Sequence, residues 1–192
     1  MTELQVFSQS ILSRSKENNE AFACLYEKQL YGNCFSILRQ ELDSLIRVIY
    51  LLNIDNPNER EYFIKLTVTG GKWSLLNDKG KKQFITDRDM IDLASKHCLF
   101  GWANYVYKFG CGFIHLSQLH NYGITNPFQM LNDQDKNAII GYMNQYHSAN
   151  INPDSSLNDF IPYLPDIMKK VSDHVCYYTT KYILTQSVWD GS

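Results

Sequence analysis

The sequence predicts an all-α fold, a single-domain helical bundle of five to seven helices. Apolar residues recur at steps of three and four along most of the 192-residue chain, which is the spacing of one helical face. No segment shows the convincing apolar–polar alternation of a strand, and 63–74 is the one stretch in which we expect a short hairpin could form. Hydrophobic residues make up 44% of the chain, which is enough to build a core at this length.

The whole chain, 1–192, is predicted to form one domain in which an N-terminal helical segment, 1–31, packs on a bundle formed by 34–187. Thr2 is a suitable N-cap for the first helix. The polar stretch Ser15 to Glu20 is expected to interrupt that helix. Gly32-Asn33 is expected to end the segment and to cap the helix that follows.

The segment from Cys34 to Leu52 is the clearest helix in the sequence, because its apolar residues form a wide face. Glu41 falls inside that face, where a carboxylate must be paired, hydrogen-bonded or neutralised. Arg39, Asp43 and Arg47 follow one another at i, i+4 steps and can pair with one another. We interpret this row as a solvated or intersubunit face.

Helix-start signals organise the rest of the chain. A short helix is predicted over Asn58 to Leu66, and capping signals open further helices at Thr86, Asn132 and Ser156. The last helix is predicted from about Pro165 to Ser187. Its apolar seam consists of Leu164, Met168, Val171, Val175, Tyr178 and Tyr182.

The run from Gly101 to Ser117 is the most unusual stretch, and it is predicted to be the central helix of the bundle. Gly110 and Gly112 each cost a helix roughly 1 kcal/mol relative to Ala. A helix that contains them is expected to need a missing side chain, so that another backbone can come close. His115 follows Lys108 by about two turns, and the two ionisable groups are expected to lie along one line.

His115 is the best candidate for a chemical group, as a general acid or base. Lys108 would stabilise a phosphate or an oxyanion beside it. Glu41 would complete the set if the second helix packs on the surface that the two glycines form. The alternative is that all three are structural, with His115 a core or helix-end histidine and Glu41 a buried partner of Lys108, Arg47 or a helix end.

Other reactive side chains are interpreted as structural. Cys111 is expected to be a small buried hydrophobe rather than a nucleophile. His120 follows His115 by five residues, but two histidines without a placed carboxylate do not predict a metal site. His97, His147 and His174 are assigned to helix ends or to the core. Trp73, Trp102 and the tyrosines of the last helix are assigned to the core or to an interface.

Several classes of function find no support in the sequence. No Cys pair has the spacing of a zinc or redox motif, no phosphate loop is present, and no cofactor is predicted. The net charge of −2 gives no global field to attract nucleic acid. No apolar run is long enough to span a bilayer, and the N-terminus does not look like a signal peptide. Together with the odd number of cysteines, this predicts a cytoplasmic protein.

The segment from Tyr105 to Ser117, which contains Lys108 and His115, resembles the HEPN superfamily of small bacterial helical proteins, including its abortive-infection-like branch. The chain is also similar to a group of uncharacterised bacterial proteins that share the sequence motifs LRQELDS and FIHLS, which are Leu38 to Ser44 and Phe113 to Ser117 in this chain. The resemblance runs from Cys34 to the final helix.

The resemblance implies a homodimer with a metal-independent endoribonuclease site in a cleft between subunits, as part of a bacterial defence or toxin system. His115 matches the family's histidine, and Lys108 stands near the position of its arginine. Lysine lacks the planar fork with which arginine grips phosphate, and Phe109 replaces a polar residue. In that mechanism the RNA 2′-hydroxyl attacks, His115 moves the proton and Lys108 stabilises the charge.

Two other functions fit the same residues. The first is a non-catalytic homodimeric interaction or scaffold protein, in which Lys108, His115 and Glu41 hold helices together. The second is a small-ligand pocket lined by Trp102, Tyr105 and the aromatic final helix.

Overall fold

The structure, a computed structural model, describes residues 1–76, 79–96, 101–115 and 117–189. Seven helices of eight or more residues occur in these ranges, which confirms the all-α prediction. They are α1 (Glu3–Glu27), α2 (Tyr31–Leu52), α3 (Pro57–Val68), α4 (Asp87–Ala94), α5 (Ala103–Ile114), α6 (Asp133–His147) and, after the single turn α7 (Leu157–Phe160), α8 (Leu164–Tyr178). None of the described helices combines the length and the hydropathy that spanning a bilayer requires.

A short antiparallel hairpin interrupts the helices after α3. Strand β1 (Ser74–Leu76) pairs with β2 (Lys82–Phe84), and Ser74 lies opposite Phe84. The predicted location of a hairpin, 63–74, is therefore wrong by about ten residues. Most of that stretch belongs to α3, which continues to Val68 and ends in a turn where Gly70 has a φ of 74°.

The helix at the centre of the fold is α2, and the prediction that the 101–117 run would be central is wrong. Helix α2 packs against α1, α4, α5 and α8. Its apolar face is wide enough that Leu42, Leu45, Ile46, Val48, Ile49 and Leu51 are completely buried. Helix α5 covers one side of α2.

Helix α1 runs without a break through the polar stretch that was expected to interrupt it. Ser15 and Asn18 are buried, and both donate hydrogen bonds to the carboxylate of Glu41 on α2. The polar residues are therefore partners of a buried charge, and they continue the helix instead of ending it.

Helix α2 begins at Tyr31, three residues before the predicted start, so Gly32 lies inside the helix instead of ending the preceding one. A Cβ at Gly32 would lie 3.1 Å from the ring of Tyr122 and 3.5 Å from that of Phe113. The glycine lets these aromatic rings approach the first turn of α2.

The seam predicted for the last helix is confirmed over α8, where Leu164, Met168, Val171, Val175 and Tyr178 are all buried. The helix changes to π geometry over Thr179–Ile183, so it ends before the predicted Ser187. A second, smaller core of Phe128, Met143, Ile151 and Phe160 lies under α6.

Candidate functional site: an aromatic pocket between α5, α6 and α8

His115 lies just past the end of α5, where the chain leaves the helix. Its backbone N–H bonds to the carbonyl of Cys111 at 3.2 Å, and its ψ of 140° is extended. The side chain is exposed. No described residue forms a hydrogen bond with the imidazole, so His115 is neither the core histidine nor the hydrogen-bonded helix-end histidine of the structural alternative.

Lys108 points toward α6 and pairs with Asp135. Its Nζ lies 2.9 Å from Oδ1 and 3.2 Å from Oδ2 of that carboxylate. Asp135 is buried and is further held by the N-cap residue Asn132. The ammonium therefore links α5 to α6.

Glu41 lies at the interface of α1 and α2, and its side chain is completely buried. Its Oε2 accepts a hydrogen bond from Asn18 Nδ2 at 2.8 Å, and its Oε1 accepts one from the Ser15 hydroxyl. Its hydrogen-bond partners are therefore α1 side chains, and neither Lys108 nor Arg47 is among them.

The structure does not bring the three predicted site residues together, because each has a different environment. Gly110 does allow α2 to come close, since a Cβ there would lie 2.8 Å from Cβ of Arg39. The surface formed by Gly110 thus receives Arg39 instead of Glu41. A Cβ at Gly112 would overlap the side chain of Leu119.

The segment after α5 holds a second exposed imidazole, that of His120. Ser117 donates a hydrogen bond from its hydroxyl to the Gly112 carbonyl at 2.6 Å, and its backbone N–H lies 3.4 Å from Nδ1 of His120. These bonds turn the chain back on α5. No cluster of three or more metal-ligating side chains occurs among the described residues. The assignment of His97 lies outside the described residues.

The row Arg39, Asp43 and Arg47 was interpreted as a solvated or intersubunit face, and the solvated alternative is wrong for Arg39. Arg39 is only 4% exposed, packs over the ring of Tyr107 at 4.3 Å and pairs with Asp87 at 3.0 Å. Arg47 bonds to both Asp43 and Asp87 at 3.2 Å. Helices α4 and α5 cover this side of α2, which the i, i+4 spacing could not reveal.

An apolar pocket lies between α5, α6 and α8 and has a volume of about 110 Å³. Aromatic and aliphatic side chains form most of its wall, among them Trp102 and Tyr105 of the predicted ligand pocket. Leu164, Ile167 and Lys170 of α8 complete it, whereas Tyr177, Tyr178 and Tyr182 of the last helix do not line it.

No protein-family model matches the chain, and neither a curated protein nor a solved structure is significantly similar to it.

Lys170 supplies the positive charge in the wall of the aromatic pocket. Its Nζ lies 4.8 Å from the centre of the Trp102 ring and 5.2 Å from that of Tyr146. Such contacts with ring faces stabilise a cation. Within the described part of the chain no carboxylate forms an ion pair with this amine, and its burial lowers the pKa of Lys170.

His147, at the end of α6, also lines the pocket. Burial lowers the pKa of its imidazole, the nearby Lys170 lowers it further, and Asp166 opposes the shift. A depressed pKa favours the neutral ring. Near neutral pH, the pocket thus presents one ammonium group and one neutral imidazole on a wall that aromatic and aliphatic side chains otherwise form.

Part of this pocket could be predicted from the sequence. Trp102 and Tyr105 were identified as lining residues, but Tyr146, His147 and Lys170 were not. The pocket is also lined by four residues of α6 that are spaced by three or four positions, as on one helical face: Ile139, Tyr142, Met143 and Tyr146. On α8, the row Ile167, Lys170 and His174 runs beside the buried seam. Which rows face one another depends on how α6 and α8 pack.

Proposed function

We propose that this protein is a small-molecule binder whose aromatic pocket accepts a compact apolar molecule with a carboxylate group. The observation that carries the proposal is the position of the Lys170 ammonium, held over two aromatic rings without a carboxylate partner in the described chain. A half-buried cation without an acidic partner loses part of its hydration, and a bound carboxylate would compensate this loss.

The size of the pocket restricts the ligand. Its volume of about 110 Å³ is smaller than the roughly 150 Å³ of an engineered cavity that binds benzene. The body of the ligand is therefore a short aliphatic chain or part of a single ring, and fused ring systems are too large. Tyr146 is 58% exposed and stands at the rim, where the rest of a ligand would meet solvent.

Hexanoate is a suitable probe, with hexanol as the uncharged control, and binding would be measured by calorimetry and by amide shifts in NMR. We expect hexanoate to bind and hexanol to bind at least about tenfold more weakly, because a charge-assisted hydrogen bond contributes about 1.5–3 kcal/mol. Lys170→Met keeps the apolar stem but removes the charge, so it should abolish this preference.

Lys169→Met is the matched control, because Lys169 is the neighbouring residue on α8 but is mostly exposed and pairs with Asp173. It should leave hexanoate binding unchanged. The proposal is wrong if hexanoate does not bind, or if the two lysine variants weaken its binding equally.

As a second candidate, we propose the metal-independent endoribonuclease that the HEPN resemblance implies. The supporting observation is that the His115 imidazole is exposed and free of hydrogen bonds from the described residues, so it could reach an RNA substrate. His115 would move the proton of the attacking 2′-hydroxyl. For Lys108 to stabilise the phosphorane, its ammonium would have to leave Asp135 or act through the protein's field.

This candidate predicts that purified protein cuts RNA in the presence of EDTA and that His115→Ala abolishes cleavage. Because the side chain is exposed, the variant should melt within a few degrees of the wild type. His120→Ala, at the other exposed imidazole of the segment, tests whether cleavage needs His115 specifically. Absence of metal-independent cleavage by the wild type would eliminate this candidate.

Homodimerisation and a scaffold role remain further proposals of the same kind. Lys108 and Glu41 each link two helices, but they do so at separate places, so a joint structural role with His115 finds no support in their contacts. Light scattering of the purified chain would give its oligomeric state.

A further inference from the structure

A second cavity, on the side of α2 that faces α1 and the hairpin, has the character of an anion-binding site. Its volume is about 650 Å³, within the usual range of small-molecule sites. Arg14 of α1 and Arg47 of α2 line it, together with Lys72 and Trp73 from the loop before β1. It shares no lining residue with the aromatic pocket.

Positive charge exceeds negative charge along this wall. Arg14 and Arg47 both bond to the same oxygen, Oδ2 of Asp43, at 3.1 and 3.2 Å. Arg47 also shares Asp87 with Arg39. Arg39 does not line the cavity, but it belongs to the same ion-pair network, in which three guanidinium groups share two carboxylates and leave one positive charge in excess.

Lys72 adds a second uncompensated cation at the cavity. Its side chain is exposed, and no carboxylate of the described residues pairs with it. Because the Arg14 and Arg47 guanidinium groups converge on one carboxylate oxygen, they lie close enough together for a single tetrahedral anion to contact both.

Ser44 provides an independent indication of a ligand. The residue is 1% exposed and lines the cavity, yet its Oγ has no hydrogen-bond partner among the described residues. Buried hydroxyl groups nearly always have partners, because leaving one unpaired is unfavourable. An acceptor oxygen on a molecule in the cavity would satisfy it.

Part of the remaining wall is apolar, since Phe7, Ile11, Phe84 and Ile85 also line the cavity. An inorganic ion would leave this surface uncovered. A molecule that combines an anionic group with an apolar portion would use both parts of the wall.

We infer that this cavity binds a small phosphate monoester with an apolar substituent, its phosphate held by Arg14, Arg47 and Lys72 and bonded to the Ser44 hydroxyl. Guanidinium forks suit the several oxygens of a phosphate better than a single ammonium does. The neighbouring Asp43 and Asp87 keep the arginines in place in the absence of ligand.

Phenyl phosphate is the probe, with phenol as the uncharged control, and both are titrated into the full chain at constant ionic strength. We expect phenyl phosphate to bind and phenol to bind at least about tenfold more weakly. Lys72→Gln should weaken phenyl phosphate binding by about fivefold. Lys65→Gln removes an exposed lysine of α3 outside the cavity and should have no effect.

The Ser44→Ala variant distinguishes a ligand-binding role of this hydroxyl from a purely structural one. Removing an unpartnered hydroxyl should leave the melting temperature of the free protein equal or higher, while it weakens phenyl phosphate binding. A lower melting temperature of the free variant would show that the hydroxyl has a structural partner, and this would overturn the inference.

Two more outcomes would overturn the inference: absence of phenyl phosphate binding, and equal weakening by the Lys72 and Lys65 variants. Lys170→Met separates this cavity from the aromatic pocket. It should leave phenyl phosphate binding unchanged. If it abolishes that binding instead, phenyl phosphate occupies the aromatic pocket, and the inference fails while the proposed function stands.

Discussion

The residue with the clearest structural role is Glu41, a carboxylate that lies in the middle of the apolar face of α2. Its two oxygens accept hydrogen bonds from Ser15 and Asn18, and the three side chains are buried together. Burying a charge is unfavourable unless polar partners surround it. Ser15 and Asn18 of α1 therefore satisfy the buried carboxylate of α2, and these hydrogen bonds fix how the two helices align.

We expect Glu41→Ala to lower the free energy of unfolding by about 3 kcal/mol, because it leaves two buried donors without an acceptor. Urea denaturation followed by circular dichroism would measure the loss. Glu61→Ala is the matched control, since Glu61 is an exposed glutamate of α3 and its loss should change stability by less than about 0.5 kcal/mol. Equal losses for the two variants would contradict this account of Glu41.

Among the elements, α5 and α2 meet where Gly110 faces Arg39. A Cβ at Gly110 would lie 2.8 Å from the Arg39 Cβ, a distance at which something must move. The atom it would meet is next to the backbone of α2, so a side-chain rotation cannot relieve the contact. Glycine lowers the helix propensity of α5 at this position, but it allows α5 to pack closely on α2.

Gly110→Ala should therefore destabilise the protein by about 1–3 kcal/mol, because overpacking outweighs the gain of roughly 1 kcal/mol in helix propensity. Gly141→Ala, within α6, should stabilise it by up to about 1 kcal/mol, since nothing lies within 4 Å of a Cβ at that position. Urea midpoints of the two variants would be compared with that of the wild type. A stabilising Gly110→Ala would show that the helices separate at little cost.

At the scale of the whole molecule, Lys170 of α8 places a positive charge close to two histidines, His147 and His174. Burial and then the charge of Lys170 lower the pKa of both His147 and His174. Asp166 and Asp173 oppose these shifts without cancelling them. The folded protein therefore binds fewer protons at these imidazoles than the unfolded chain does just below their usual pKa of 6.5.

Stability should consequently fall as the pH is lowered from 7.5 to 5.5, because protons bind preferentially to the unfolded state. Urea midpoints across this range would show the decrease, and the double variant His147→Gln/His174→Gln should flatten it. Carboxylates titrate mainly below this window, which separates their contribution. An unchanged pH dependence in the double variant would assign the effect to other groups.

Individual elements show how far sequence reasoning reaches. The Thr86–Asp89 capping box and the α8 seam follow from local rules, and the structure confirms both. The break predicted in α1 was wrong because Ser15 and Asn18 bond to a residue 26 and 23 positions away. Of the pocket, Trp102 and Tyr105 were identified from their own stretch, but Lys170 joins them only through the packing of α8.

The sequence by itself determined the fold class, because helical periodicity and capping signals act within a few residues of one another. Tertiary structure alone decided that α2 is the central helix, that Glu41 faces α1 and Lys108 faces Asp135, and that Lys170 lies over Trp102 and Tyr146. The physical reason is that a side chain's partners depend on which helix faces meet. That choice depends on the burial of every face at once, and no local spacing records it.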